Sequence, residues 1–434
     1  MSSLSEAEKR FSLPTYETFA FWLYVLGVAM TALGPIAHYI GWTFALISLV
    51  YGRIRYNTPL LIKLQPEGRK IICFLVLFLF WSMFAHIPYV DSFYTWGKGA
   101  SIPLEFLTGL YLAVRLIDTS KKREIFGLVV VTVNLVFCFD VMFRPDFQIL
   151  GWNGSLDNGN AVALYSLILM PFFCCYALWY YENKIIFKYF LCFTSVMLVF
   201  FSFSSGGWLT AGFQAVILVC YAIKEKKINL KSLFIFLSIV VISLSVLIYS
   251  LGNGFQESVY REINQITAFD NPQLMTTDRI DTWKAGFFLA MKHPVIGGGW
   301  ANFESEFNRY HKYMIDNINY KRQGALSQPH SMFISILYAG GFPSLLSFIC
   351  ALTLSIRKSW IGNRDSYGNG VVPWFLICLV LLSSQIIYGT NGDIFEARRD
   401  ISVIFWACWG LLIVMPESDQ NSNKGDKSEN PALC

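Results

Sequence analysis

Residues 327–341 read SQPHSMFISILYAGG. A polar tetrad, Ser327-Gln328-Pro329-His330, runs directly into an apolar stretch that continues past Phe348. Such a stretch is long enough to cross a bilayer, since about 20 apolar residues in helical form span the roughly 30 Å hydrocarbon layer. It sets a titratable histidine at the edge of what reads as a membrane helix, and the rest of the chain follows the same apolar pattern.

Of the 434 residues, 55% are hydrophobic, 17% aromatic and only 15% charged. That balance is too apolar for a soluble protein of this size. Long unbroken apolar runs, without the alternation of a barrel strand, predict an all-α polytopic membrane protein. About twelve spans are predicted, near 17–33, 38–52, 71–90, 100–117, 125–143, 161–180, 187–204, 207–222, 232–251, 331–355, 372–390 and 400–415. The polar start MSSLSEAEKR reads as an uncleaved N-terminus.

Orientation follows from the Lys/Arg bias of the short loops. One side carries Lys9, Arg10, Arg53, Arg55, Lys63, Arg69 and Lys70, the Lys121-Lys122-Arg123 cluster and the run KEKKINLK at 224–231. The other side's short loops carry only Lys98, Arg144, Arg398 and Arg399. Both termini are therefore expected in the cytoplasm. Residues 1–434 read as one integral membrane domain, with 416–434 a disordered cytoplasmic tail. The net charge of +5 expresses this membrane bias and implies membrane lipids, not nucleic acid, as the basic residues' partners. The ten cysteines form no disulfide or zinc pattern and read as small apolar residues.

One segment departs from the short-loop pattern. Residues 252–329, between the ninth and tenth predicted spans, form a large loop on the extracytoplasmic side, too long and too aromatic for a passive connector. Within it, TTDRIDTWKAGFFLAMKHP at 276–294 predicts a helix, capped by Asp278 and stopped by Pro294. Its expected apolar face is Ile280, Trp283, Phe287, Phe288 and Met291, and GGGW at 297–300 reads as a flexible bend. Two shorter outer loops carry unusual chemistry. DSFYTWGKGAS at 91–101 sets Lys98 between glycines, and GTNGDIFEARRD at 389–400 combines Asp393, Glu396, Arg398 and Arg399.

The outer face thus gathers Lys98, Arg279, Arg398 and Arg399 with His330. Two readings are open. The cations could be interfacial anchors that snorkel from helix ends, with His330 simply facing water. Alternatively they form an anion site. Basic residues in outer loops oppose the topology signal, which favours a functional role. A histidine at a helix N-terminus would tend to stay neutral and available as a base, beside backbone N–H groups that favour a phosphate.

The stretches DRIDTWKAGFFLAMKHPVIGGG (278–299) and QPHSMFISILYAGG (328–341) resemble the signature region of the O-antigen ligase and polymerase superfamily. There, an arginine-bearing helix and a glycine bend precede a histidine at the start of the next span. Arg279 and His330 match those positions, Asp393 to Arg399 resembles the ligases' acidic-then-arginine stretch, and Lys98 resembles a lysine of their early outer loop. The resemblance implies a bacterial inner-membrane, inverting glycosyltransferase with its active site at the periplasmic face. It would move a glycan from undecaprenyl diphosphate onto the lipid A–core of lipopolysaccharide. His330 and Arg279 would be catalytic, with Lys98, Arg398, Arg399 and Asp393 binding substrate. No metal or other cofactor is expected. The alternatives are an O-antigen polymerase with a lipid-linked acceptor and, from another class, a transporter or flippase. The sequence departs from the family in one place. The turn SFSSGGW at 202–208 has Gly206 where members usually carry an arginine for the donor diphosphate.

Overall fold

Each predicted span lands on a helix because the same apolar runs that suit lipid also satisfy their backbone internally. A computed structural model describes residues 15–32, 34, 36–84, 87, 92–143, 156, 159–276, 279–318, 320, 326–365, 371–392, 394–395 and 401–416. Among these there is no strand. The helices run α1 (Thr15–Ala29), α2 (Ala37–Tyr56), α3 (Pro66–Phe84), α4 (Phe93–Leu116), α5 (Ser120–Phe143) and α6 (Gly159–Cys175, continued by a π-turn at Tyr176–Tyr180). They continue with α7 (Ile185–Phe201), α8 (Ser205–Lys224), α9 (Leu230–Ser250), α10 (Asn253–Thr267), the short α11 (Pro272–Met275), α12 (Arg279–Ala290) and α13 (Phe303–Ile318). The chain closes with α14 (Met332–Asp365), α15 (Trp374–Asn391) and α16 (Val403–Val414). The expected cap Asp278 and most of the expected tail, 417–434, lie outside the described residues.

Among the described residues, five helices are long and apolar enough to cross a membrane: α5 over Ser120–Val141, α6 with its π-turn, α8, α9, and α14 over Met332–Gly362. Helices α1, α7, α15 and α16 are apolar but shorter, and the rest are shorter or more polar. Helix α6 is apolar all round and buried along nearly its whole length, whereas the still more apolar α9 buries only Val240 fully and leaves most of its surface partly or wholly exposed. Apolar in every direction suits both a bundle centre and a lipid-facing flank. Small residues set the close approaches, as in membrane bundles generally. At Gly41, for example, a Cβ would meet the Leu23 carbonyl of α1 at 2.4 Å.

The 252–329 segment is built from four helices, α10 to α13, more order than the single expected helix. Helix α10 buries Phe255, Val259, Glu262 and Gln265 at helical spacing and packs on α8. Helices α12 and α13 share a second core, in which Leu289, Phe303, Phe307 and Met314 meet Leu337 and Tyr338 of α14.

Two expectations are corrected here. Helix α12 buries Asp281, Thr282, Ala285, Gly286, Leu289 and Ala290, not its aromatic face, and Phe287 is 52% exposed. Small side chains win the inner face because the approach is tight: a Cβ on Gly286 would lie 2.6 Å from Pro329 Cβ. Of the expected apolar face only Phe287 is left outward; Phe288 and Met291 are half-buried against the core shared with α13, where Phe288 meets Tyr310 and Tyr313. The GGGW bend is likewise pinned, not flexible. Gly298 and Gly299 donate backbone N–H bonds to the Tyr338 and Ala339 carbonyls at 2.6 and 3.1 Å, and Phe342 donates to the Pro294 carbonyl at 2.7 Å. Helix α14 is kinked at that contact, where Gly341 adopts φ 68°. Gly297 at φ 73° faces it, and a Cβ at either glycine would strike opposing backbone at 2.4–2.5 Å.

Candidate functional site

The turn between α7 and α8 is where the bundle opens. Phe203 takes φ 43° there, and Ser204 caps α8 by accepting the Gly207 N–H at 3.3 Å. The Ser204 hydroxyl also donates to Asn160 Oδ1 at 3.1 Å, and the Asn160 carbonyl accepts from Tyr388 at 3.0 Å. The turn is therefore tied to the starts and ends of two neighbouring helices, α6 and α15.

Helix α10 lies against this turn because its buried stripe ends in polar groups that satisfy it. Glu262 Oε2 accepts the Ser205 N–H at 2.9 Å, and Gln265 Oε1 accepts the Ser205 hydroxyl at 2.8 Å. The other Glu262 oxygen receives Arg261 Nε at 3.3 Å. Burial pushes the Glu262 carboxyl above the usual carboxylate range, partly offset by the Ser205 N–H and by Arg261. Between the turn, α10, α11 and the first residue of α12 lies a cavity of 310 Å³. Its lining includes Ser204, Ser205 and Gly206 from the turn, Arg261 and Glu262 from α10, and Arg279 from α12. Two guanidinium groups on separate helices thus face one polar chamber, a donor set suited to a multiply charged anion such as a phosphate ester.

Of the expected residues that the structure describes, Lys98, Arg279 and His330, Arg279 lines this cavity. His330 does not line it, but the residue before it is tied to α12: the Thr282 hydroxyl, one turn after Arg279, donates to the Pro329 carbonyl at 3.3 Å. His330 sits just ahead of α14, at the edge of the span as the sequence placed it. The Ser331 carbonyl accepts the first helical N–H, from Ser335 at 2.8 Å, so Ser331 is the cap and His330 precedes it at φ 53°. Its Nδ1 is 3.5 Å from Gln328 Nε2, too long to fix the ring's tautomer. The segment is anchored by the Met332 N–H to the Gly392 carbonyl at 2.9 Å and by the Ser331 hydroxyl to Gly389 at 3.3 Å. Lys98 is exposed, well inside α4 and not in a preceding loop. It does not line the cavity, although its neighbour Gly99 packs against the Trp300 carbonyl. Asp393, Arg398 and Arg399 lie outside the described residues.

Sequence reasoning passed over Arg261 and Glu262. The signal was available: Glu262 falls on the same helical stripe as Phe255 and Val259, and a carboxylate at a core position of an amphipathic helix needs a partner.

Residues 190–349, which hold the turn, the cavity-lining helices and His330, match the family model described as O-Antigen ligase. The match supports the O-antigen ligase and polymerase superfamily. It covers rather more than a third of the chain and includes both stretches on which the sequence resemblance rests. The apolar helices suit a multi-pass membrane protein, and over residues 190–349 the chain is similar to the O-antigen ligases. No curated protein matches the chain significantly.

Proposed function

We propose that the protein is an O-antigen ligase-like, inverting glycosyltransferase of the bacterial inner membrane, acting at the periplasmic face. The observation that carries this reading is the cavity in which Arg279 meets the Ser204–Gly206 turn beside Arg261. The chamber binds the diphosphate of an undecaprenyl-diphosphate-linked glycan, and the glycan passes to a hydroxyl of the lipid A–core. His330 takes the proton from the acceptor hydroxyl. The oxygen so freed attacks the anomeric carbon, the bond from that carbon to the diphosphate oxygen breaks, and the configuration inverts. The leaving undecaprenyl diphosphate departs with the bonding pair, and the arginines stabilise the negative charge that develops on it. A diphosphate is already a good leaving group, and fixed guanidinium charge supplies the electrostatic help that a metal would give. Apolar Phe203 and Leu209 on the cavity wall suit the first isoprene units of the donor.

The lipopolysaccharide profile of a deletion strain tests the reading. Loss of a ligase leaves bare lipid A–core while polymeric glycan accumulates on the lipid carrier. Core capped by a single repeat would instead mark a polymerase, and an unchanged profile would contradict both.

A further inference from the structure

We infer that α10 lies in the membrane–water interface, with the flank that carries Tyr260 and Ile263 seated in lipid. The inference needs only that α9 crosses the bilayer, and it does not depend on the reaction proposed above. Helix α9 has 21 residues, about 31 Å of helix, which matches the roughly 30 Å of a hydrocarbon core. Its last turn therefore meets the bilayer surface, where exposed Tyr249 suits the edge of a span. Gly252 turns the chain there at φ 83°, and α10 starts at Asn253. Gln256 in its first turn donates to the Ile248 carbonyl of α9 at 3.3 Å. From that point α10 runs across the ends of α7 and α8. Near its start the Phe255 ring meets Phe201 and Phe203, with centroids 6.4 and 5.1 Å apart. About 15 Å further along the helix, Gln265 accepts the hydroxyl of Ser205, the first residue of α8. Both contacts fall at the level of the α7–α8 turn, so the axis of α10 lies along the membrane surface.

At about 100° per residue, α10 divides into sectors. Phe255, Val259, Glu262 and Gln265 form the buried one, and Arg261 flanks it on the cavity side. Tyr260 and Ile263 flank it on the other side, 61% and 43% exposed. Exposed Glu257 and Asn264 lie opposite the buried sector. A helix with core, lipid and water sectors in that order fits a place beside a bundle, in the interface plane. Large apolar side chains stay exposed beyond it, at Phe269, Leu274 and Met275. Because α10 also lines the cavity, this seat sets the cavity at the depth of the lipid headgroups.

The test reads the depth of a nitroxide label on Ile263→Cys and on Asn264→Cys, each in the full-length chain without its native cysteines. The protein sits in vesicles of phosphatidylethanolamine and phosphatidylglycerol, and depth is read from collisions with oxygen against a water-soluble nickel chelate. The Ile263→Cys label is expected about 5–10 Å below the headgroup surface, and the Asn264→Cys label in water. Equal exposure of both labels to the chelate would overturn the inference. A photo-cross-linking side chain at the same two positions, with every native cysteine kept, covers the case in which the cysteine-free protein fails to fold. Phospholipid adducts at position 263 in clear excess over position 264 are expected. Equal adducts at both, or adducts to protein in place of lipid at position 263, would overturn it.

Discussion

At the scale of single residues the account divides labour between a base and a set of cations. His330→Ala is expected to lower glycan transfer by about 10²–10⁴-fold, the usual cost of removing a general base, with expression and membrane insertion unchanged. Near-normal transfer by a well-folded variant would remove His330 from the chemistry. Arg279→Ala should cripple transfer and Arg279→Lys restore it only in part, because an ammonium cannot present a bidentate fork to phosphate oxygens. Glu262 gives a pH signature. Its carboxyl titrates above the usual range, held there chiefly by burial; among the described residues Arg261 is its charged partner, and Arg279 lines the same cavity. The α8 side contributes the neutral Ser205, and α11 contributes Met275 and Thr276. Below its folded pKa Glu262 is neutral and leaves the arginines' charge to the donor. Above it, the carboxylate repels the diphosphate. Donor KM should therefore rise as pH increases through that pKa, and Glu262→Gln should flatten the profile. A wild-type profile as flat as the variant's would exclude Glu262 from the donor's surroundings. Arg279 and His330 stood out as candidates in the sequence because each sits in a recognisable motif. Arg261 did not, since its meaning depends on a fold that lays α10 against the α8 cap.

Between helices, the decisive contact is the backbone crossing of the GGGW bend and the α14 kink. The sequence announced a bend there but not what it bends around. Glycine reads as freedom in one dimension, and only the approach of a second backbone turns it into a fixed joint. Gly341 combines φ 68° with a ψ of −170°, a region essentially reserved for glycine. Gly341→Ala should cost about 1–3 kcal/mol in backbone strain alone. The added Cβ, 2.5 Å from the Pro294 carbonyl, adds to that. Gly97→Ala, in open space within α4, is the matched control. Thermal unfolding in detergent should show a clear drop for the first variant and little change for the second. Equal midpoints would mean that the joint does not hold the 252–329 segment to the bundle. The α12 face was misjudged for a related reason. Periodicity located the aromatic stripe, but the close approach of Pro329 and Ile334 at Gly286 admits only small side chains, so Ala285, Gly286 and Ala290 went inward.

Across the whole molecule, the positive-inside bias and the apolar runs made the helical, multi-pass class legible, because lipid permits few alternatives. The internal order of the 252–329 segment was not, since short amphipathic helices such as α10 and α13 fold only against the bundle that covers them. Topology is tested by cysteine labelling in a variant without the native cysteines. A cysteine at the exposed position Asn317 should react with an impermeant thiol reagent from the periplasm, and one at the exposed Asn229 should not. The opposite pattern would invert the molecule and the site with it. The most direct measurement of the central claim is transfer by purified protein supplied with an undecaprenyl-diphosphate-linked glycan and lipid A–core. The account predicts core-linked glycan of inverted anomeric configuration, one undecaprenyl diphosphate released per transfer, and loss of both products in Arg279→Ala. Elongated lipid-linked glycan with bare core, or intact donor after prolonged incubation with active-folded protein, would contradict it.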